Sequence, residues 1–136
     1  MTPQEIFDTV ARHLFTQGTR AGKPVLDADG EESDFECLYR APDGKTCAVG
    51  CLIPDAAYRP SMEGSGAFTM RSMHEDVLPR WFMPNEGLLA RLQQVHDCAH
   101  YWQRDIDMKF ALASVADAFE LDKAVLDTLS FNRVEA

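Results

Sequence analysis

Residues 37–58, Cys-Leu-Tyr-Arg-Ala-Pro-Asp-Gly-Lys-Thr-Cys-Ala-Val-Gly-Cys-Leu-Ile-Pro-Asp-Ala-Ala-Tyr, constrain the fold more than any other stretch of the chain. They hold three of the four cysteines, a Pro-Asp-Gly turn and an apolar run that stops at Pro54. Proline lacks the backbone donor that a continuing helix or inner strand would need. Ala41-Pro-Asp-Gly44 suits a type I turn, so Phe35 to Arg40 reads as a short strand leading into it. Cys47 to Ile53 reads either as the returning strand or as a short helix capped by Thr46.

The flanks read as helices. Thr2-Pro3-Gln4-Glu5 combines an N-cap, a proline at the first helical position and a capping-box glutamate. Ile6, Phe7, Val10, Leu14 and Phe15 follow at helical spacing, and Gly18 is a C-terminal stop. His13 falls among the polar positions of this helix and reads as solvated. Residues 18–34 are polar and Gly-rich and read as a mobile acidic loop. The clustered carboxylates suggest a calcium loop, but they do not fit the EF-hand pattern: counting from Asp27, Gly30 stands fourth where an EF-hand needs glycine sixth, and Leu38 stands where it needs glutamate.

Asp55 to Met70 reads as an irregular segment anchored by Tyr58, Met62 and Phe68. About two helical turns are expected over Arg71–Leu78, then a helix capped by Asn85 with Leu88, Leu89, Leu92 and Val95 inward. A longer helix over Asp105–Phe119 carries Met108, Leu112, Val115 and Phe119 on one stripe. Asp122 caps a last short helix with Val125, Leu126 and Leu129. The expected fold is therefore α+β and mainly helical, with four to five helices packed on a small β-hairpin built on Cys37–Cys47. Cys37, Cys47, Leu52, Ile53, Leu88, Leu92, Leu112, Val115 and Phe119 are its expected core.

The 136 residues fit a single domain, 1–136, large enough to bury a core without staples. A net charge of −9 argues against direct contact with nucleic acid or anionic membrane, which need Lys and Arg. The C-terminal helices are too acidic for a recognition helix, since only Lys123, Asn132 and Arg133 face Asp117, Glu120, Asp122 and Asp127. No apolar run approaches the ~18 residues that span a bilayer, and Met-Thr-Pro-Gln-Glu is no signal peptide. A cytoplasmic protein with reduced thiols is the expectation.

Three groups of residues bear on chemistry. Cys37, Cys47 and Cys51, completed by His74, His96, Cys98 or His100, would be a zinc set, but the thiols keep apolar company and read as packing. Cys37 and Cys47 with His96 as base would make a thiol- or metal-dependent hydrolase. Neighbouring helical residues point about 100° apart, which places Asp97 poorly to orient His96. His96 and His100 at i and i+4 would share one helix face as zinc ligands; the plainer reading buries a hydrogen-bonded His96 and exposes His100. Tyr39, Arg40, Tyr58, Glu63, His96, Asp97 and Trp102 are the candidate binding residues, for an aromatic-bearing interface or a small planar ligand.

The pattern C-x-Y-R-x-x-x-G-x-x-C-A-x-G-x-L-I-P-D-x-x-Y over Cys37 to Tyr58 resembles a family of short uncharacterised phage and prophage proteins. Gln4-Glu-Ile-Phe-Asp-Thr-Val-Ala-x-His-Leu, Met62-Glu-Gly64, and Leu92-Gln-x-x-His-Asp97 followed by Trp102 resemble it too. The resemblance spans most of the chain and implies an accessory protein that binds a host protein or protein complex, including an inhibitor of host defence. The leading expectation is non-catalytic binding in the host cytoplasm with no cofactor. The hydrolase with zinc, and sequestration of a small ligand, are the alternatives, and oligomeric state is left open.

Overall fold

The computed structural model describes residues 1–132, apart from the side chains of Ala67, Phe68 and Arg71. Helix α1 spans Pro3–Gln17. Its capping box is closed in both directions: Glu5 N–H donates to Thr2 Oγ1 at 3.1 Å, and Thr2 N–H to Glu5 Oε1 at 3.0 Å. Gly18 ends it in the left-handed region with φ 77°, where glycine carries no Cβ penalty. Ile6, Phe7, Val10, Ala11, Leu14 and Phe15 form the buried face.

The hairpin lies earlier in the chain than the central turn suggests. Strand β1, Gly22–Leu26, pairs antiparallel with β2, Glu32–Cys37. The acidic stretch between them is a hairpin turn rather than a loose loop: Asp27 Oδ1 accepts from Asp29 N–H (2.9 Å) and Glu31 N–H (3.0 Å). Such side-chain-to-backbone bonds are what aspartate brings to a turn. Most residues of both strands are exposed, while the root is tied to the core through Leu38 N–H and Ala21 O at 3.1 Å.

Beyond Cys37 the expected ladder shrinks to a single bridge, Arg40 with Thr46, around the expected Ala41–Gly44 turn. The backbone groups that would extend it have side-chain partners instead. Thr46 N–H goes to Gln17 Oε1 (2.9 Å), and Thr46 O accepts from Gln17 Nε2 (2.9 Å) and His13 Nε2 (2.8 Å). Tyr39 N–H goes to Glu63 Oε1 (2.8 Å). His13 is therefore half-buried and bonded, not solvated; burial lowers its pKa more than the Thr46 carbonyl raises it. Cys47 opens a short helical turn, with a 3₁₀ segment at Gly50–Leu52. Gly50 is required there, because a Cβ would stand 2.1 Å from Tyr39 O.

Helix α2 occupies Ala67–His74, one turn earlier than expected, and α3 Glu86–Asp97. Phe68, expected as an anchor, lies outside the described side chains, whereas Met62 is fully buried and Tyr58 half-buried. Helix α3 is central: it touches α1, α2 and α4, the last spanning Asp105–Ala118. A 3₁₀ turn at Ala99–Trp102 joins α3 to α4, and another at Ala124–Thr128 packs on α1. Phe131 then lies between Phe15 and Trp102, with ring centroids at 4.7 and 5.7 Å. The architecture is α+β and mainly helical, with four α-helices and one two-stranded hairpin among the described residues. Among the described residues no helix is long and apolar enough to cross a membrane.

Seven of the nine expected core residues are buried. Cys37 is only half-buried, because it ends β2 at the mouth of a cavity. Phe119 is 37% exposed, because α4 stops one residue short of it. Leu121 N–H closes on Ala116 O (2.8 Å) and Glu120 N–H on Asp117 O (3.3 Å), a Schellman ending with Glu120 at φ 56°. A non-glycine residue there is strained. Glu120→Gly is expected to stabilise the fold by about 1 kcal/mol, read as a higher urea midpoint with an unchanged slope.

Candidate functional site

The root of the hairpin, the end of α3 and the Ala99–Trp102 turn converge on His96, which is fully buried. Ala21 N–H donates to His96 Nε2 at 3.0 Å. That bond places the ring proton on Nδ1, which donates to Asp97 Oδ1 at 2.9 Å. Trp102 sits edge-on to the imidazole at 5.7 Å and donates its indole N–H to His96 O at 2.7 Å. Asp97 thus does orient His96, contrary to the expectation from helical geometry. It is the last residue of α3, followed by extended Cys98, so its side chain can turn back along the helix end.

Asp97 gathers further donors. Gln93 Nε2 reaches its Oδ1 at 2.9 Å, while Gln93 Oε1 accepts Val49 N–H at 3.2 Å. The Cys37 thiol donates to the same carboxylate. Burial pushes the Asp97 pKa up, but the bonds from His96, Cys37 and Gln93 outweigh it and hold the group below the ordinary range. Burial, and then the Asp97 carboxylate, push the Cys37 thiol up to about 12, against the opposing pull of Arg20. Arg20 itself lies over the Phe35 ring at 4.2 Å and donates to Asp97 O at 3.2 Å.

Among the described residues, Cys37, His96 and Asp97 form a group with ligand atoms within 4.8 Å of one another. The donor set does not suit a metal as it stands. A neutral imidazole binding through Nδ1 must carry its proton on Nε2, where Ala21 N–H already points. The five-residue set Cys37, Cys47, Cys51, His96 and His100 is not assembled. Cys47 is fully buried with its sulfur accepting Gly50 N–H (3.2 Å), and Cys51 donates to Ala48 O (3.2 Å). His100 belongs to the 3₁₀ turn beyond α3, so it shares no helix face with His96; its exposed ring stands 3.9 Å from Asp107.

The same facts bear on the hydrolase reading. Burial raises the Cys47 pKa and lifts Cys51 to about 12, so the thiols near the site are protonated at neutral pH. Both nitrogens of His96 are already bonded. The cluster joins a thiol, a carboxylate and an imidazole, yet its geometry is that of a structural clasp.

A second group gathers Tyr39, Arg40, Tyr58 and Glu63. Glu63 Oε1 accepts the N–H groups of Tyr39 and Arg40 (3.4 Å for the latter), and burial raises its pKa more than these bonds lower it. Arg40 bonds Ile53 O (3.1 Å), pairs with Asp55 (2.8 Å) and lies over Tyr58 at 4.5 Å. Tyr39 is buried, and its hydroxyl donates to Ser65 O. The two groups meet at a cavity of about 250 Å³ lined by Cys37, Tyr39, Gly64, Ser65, Gln93 and Asp97.

Of the seven candidate binding residues, Tyr39, His96 and Trp102 are buried in the core, Tyr39 and Trp102 reaching the neighbouring hollows only by an edge. Arg40, Tyr58 and Glu63 are half-buried; Arg40 and Glu63 bond the backbone, while Arg40 Nε and Glu63 Oε2 are buried without a hydrogen-bond partner among the described residues. Asp97 alone keeps a substantially exposed side chain, at 45%. Sequence reasoning missed Ala21, which carries no side-chain signal, and Gln93 as a partner, although Gln93 and Asp97 stand at i and i+4.

Asp97→Asn tests the clasp twice. Removing the charge is expected to lower the Cys37 pKa and speed its alkylation at pH 8 by about tenfold, read by mass spectrometry. A carboxyl whose folded pKa is depressed adds stability above about pH 4 that is lost as pH falls further. The variant's acid-denaturation limb is therefore expected to be shallower than that of the parent.

No protein-family model, curated protein or solved structure matches the chain.

Proposed function

We propose that this is a non-catalytic binding protein that engages a basic surface on a host macromolecule through its acidic hairpin. The observation that carries the reading is the charge on β1, β2 and their turn. Residues 22–37 hold six carboxylates and one lysine, a net of −5 within the chain's −9. The side chains of Asp29, Glu31 and Glu32 have no partner among the described residues. Crowded like charges on a two-stranded ribbon destabilise it, and a partner of opposite sign relieves that repulsion.

Recognition falls to side chains rather than to strand addition. Pro24 lacks an N–H, and opposite it Phe35 N–H is taken by Asp34 Oδ1 at 2.7 Å; both features blunt an edge. The protonated thiols and fully bonded His96 weigh against hydrolysis. The cavity between the two clusters, at about 250 Å³, is smaller than the ~300 Å³ at which small-molecule sites begin, and the larger hollows beside Trp102 (about 450 Å³) and Arg40 (about 470 Å³) are open to solvent rather than enclosed, which weighs against ligand sequestration. The resemblance to short phage proteins supports a host protein as partner, inhibition of host defence as the consequence, and the host cytoplasm as the place.

Affinity capture from a bacterial lysate, comparing the parent with Asp29→Asn/Glu31→Gln/Glu32→Gln, tests this. The expected result is one retained protein, released by salt, that binds the variant about tenfold more weakly, each exposed charge contributing up to ~1 kcal/mol. Cys47→Ser is expected to retain it. Equal capture by parent and triple variant would overturn the hairpin reading.

A further inference from the structure

We propose that the outer face of α4 is a second docking surface, shaped for a basic amphipathic helix of a partner protein. The inference rests on the binding reading but uses other residues. Helix α4 buries Met108, Ala111, Leu112, Val115 and Ala116, yet its opposite face is apolar as well. Ile106 is 66% exposed and Phe110, one turn on, 73%. A helix apolar on both sides is normally covered on both. Between these two residues and the preceding turn lies a hollow of about 340 Å³, lined also by His100, Tyr101, Arg104 and Asp107.

The stripe continues by helical spacing through half-buried Ala113 to exposed Asp117. From Ile106 to Asp117 it runs about 16 Å, the length of three turns of a partner helix. Its far end is acidic: Asp117, Glu120 and Asp122 are exposed, against Lys123, which pairs with Asp117 at 2.8 Å. Apolar residues at i and i+3 or i+4 of a partner helix would cover Ile106 and Phe110, and Lys or Arg at its end would meet the carboxylates. A second copy of this chain suits the face less well, because each copy brings a net charge of −9.

Isothermal titration with a synthetic three-turn peptide, Leu on one face and Lys on the other, tests the surface. The full chain is expected to bind it at one site. Ile106→Ser/Phe110→Ser is expected to weaken binding at least about tenfold with an unchanged melting temperature, and the hairpin triple variant to bind as the parent does. Equal affinity of the parent and the α4 variant would overturn the inference. So would weakening confined to the hairpin variant, which would instead support the acidic hairpin. Sedimentation showing a dimer that the α4 variant dissolves would assign the face to a second copy and likewise overturn it.

Discussion

The buried imidazole of His96 joins the link after α1, the C-terminus of α3 and the turn into α4 through Ala21, Asp97 and Trp102. Each of these contacts satisfies a polar group that burial would otherwise leave costly. An unpaired buried N–H such as that of Ala21 costs about 1–3 kcal/mol. The ring is held in one tautomer because one neighbour donates to it and the other accepts from it. Asp97 stays ionised because three donors converge on it, and its charge in turn helps keep the Cys37 thiol protonated. The reactive residue types at the site are thus tied to one another, and the order they impose is structural.

The same device recurs around residues 39–46. A side-chain carboxylate and a side-chain amide replace the strand partners that this segment lacks. Glu63 takes two backbone N–H groups, and Gln17 both donates to and accepts from Thr46. Backbone polar groups must be paired wherever water is excluded, and here long-range side chains do it. That is why a segment with good turn chemistry forms one bridge and not a hairpin.

The helices were legible because their signals are local. Thr2, Pro3, Glu5 and Gly18 bound α1 by chemistry that acts within four residues, and the apolar spacing of α3 and α4 names their buried faces. That a hairpin exists was legible; where it lies was not. Glu32-Ser-Asp-Phe-Glu-Cys37 is exposed on most positions, so it carries no alternation of apolar and polar residues for a reader to find. The site was legible in part: His96, Asp97 and Trp102 do meet, as do Tyr39, Arg40, Tyr58 and Glu63. What sequence could not convey is that Tyr39 and Trp102 point their polar tips at backbone carbonyls of this chain. An aromatic residue reads the same whether its hydroxyl or N–H faces a ligand or the core.

The two proposed surfaces share a wall, and this links the clasp to binding. Ala99 and Trp102 of the turn after α3 face a hollow bounded by Gly22 and Phe35 at the hairpin root. His100 and Tyr101 of the same turn line the hollow against Ile106 and Phe110. His96 anchors this turn through Trp102 and the hairpin root through Ala21. An acidic arm and an apolar helix face held by one buried ring are ordered before a partner arrives, so less conformational entropy is lost on binding. Loosening His96 would leave every carboxylate in place, but the charges would no longer be presented from a fixed root.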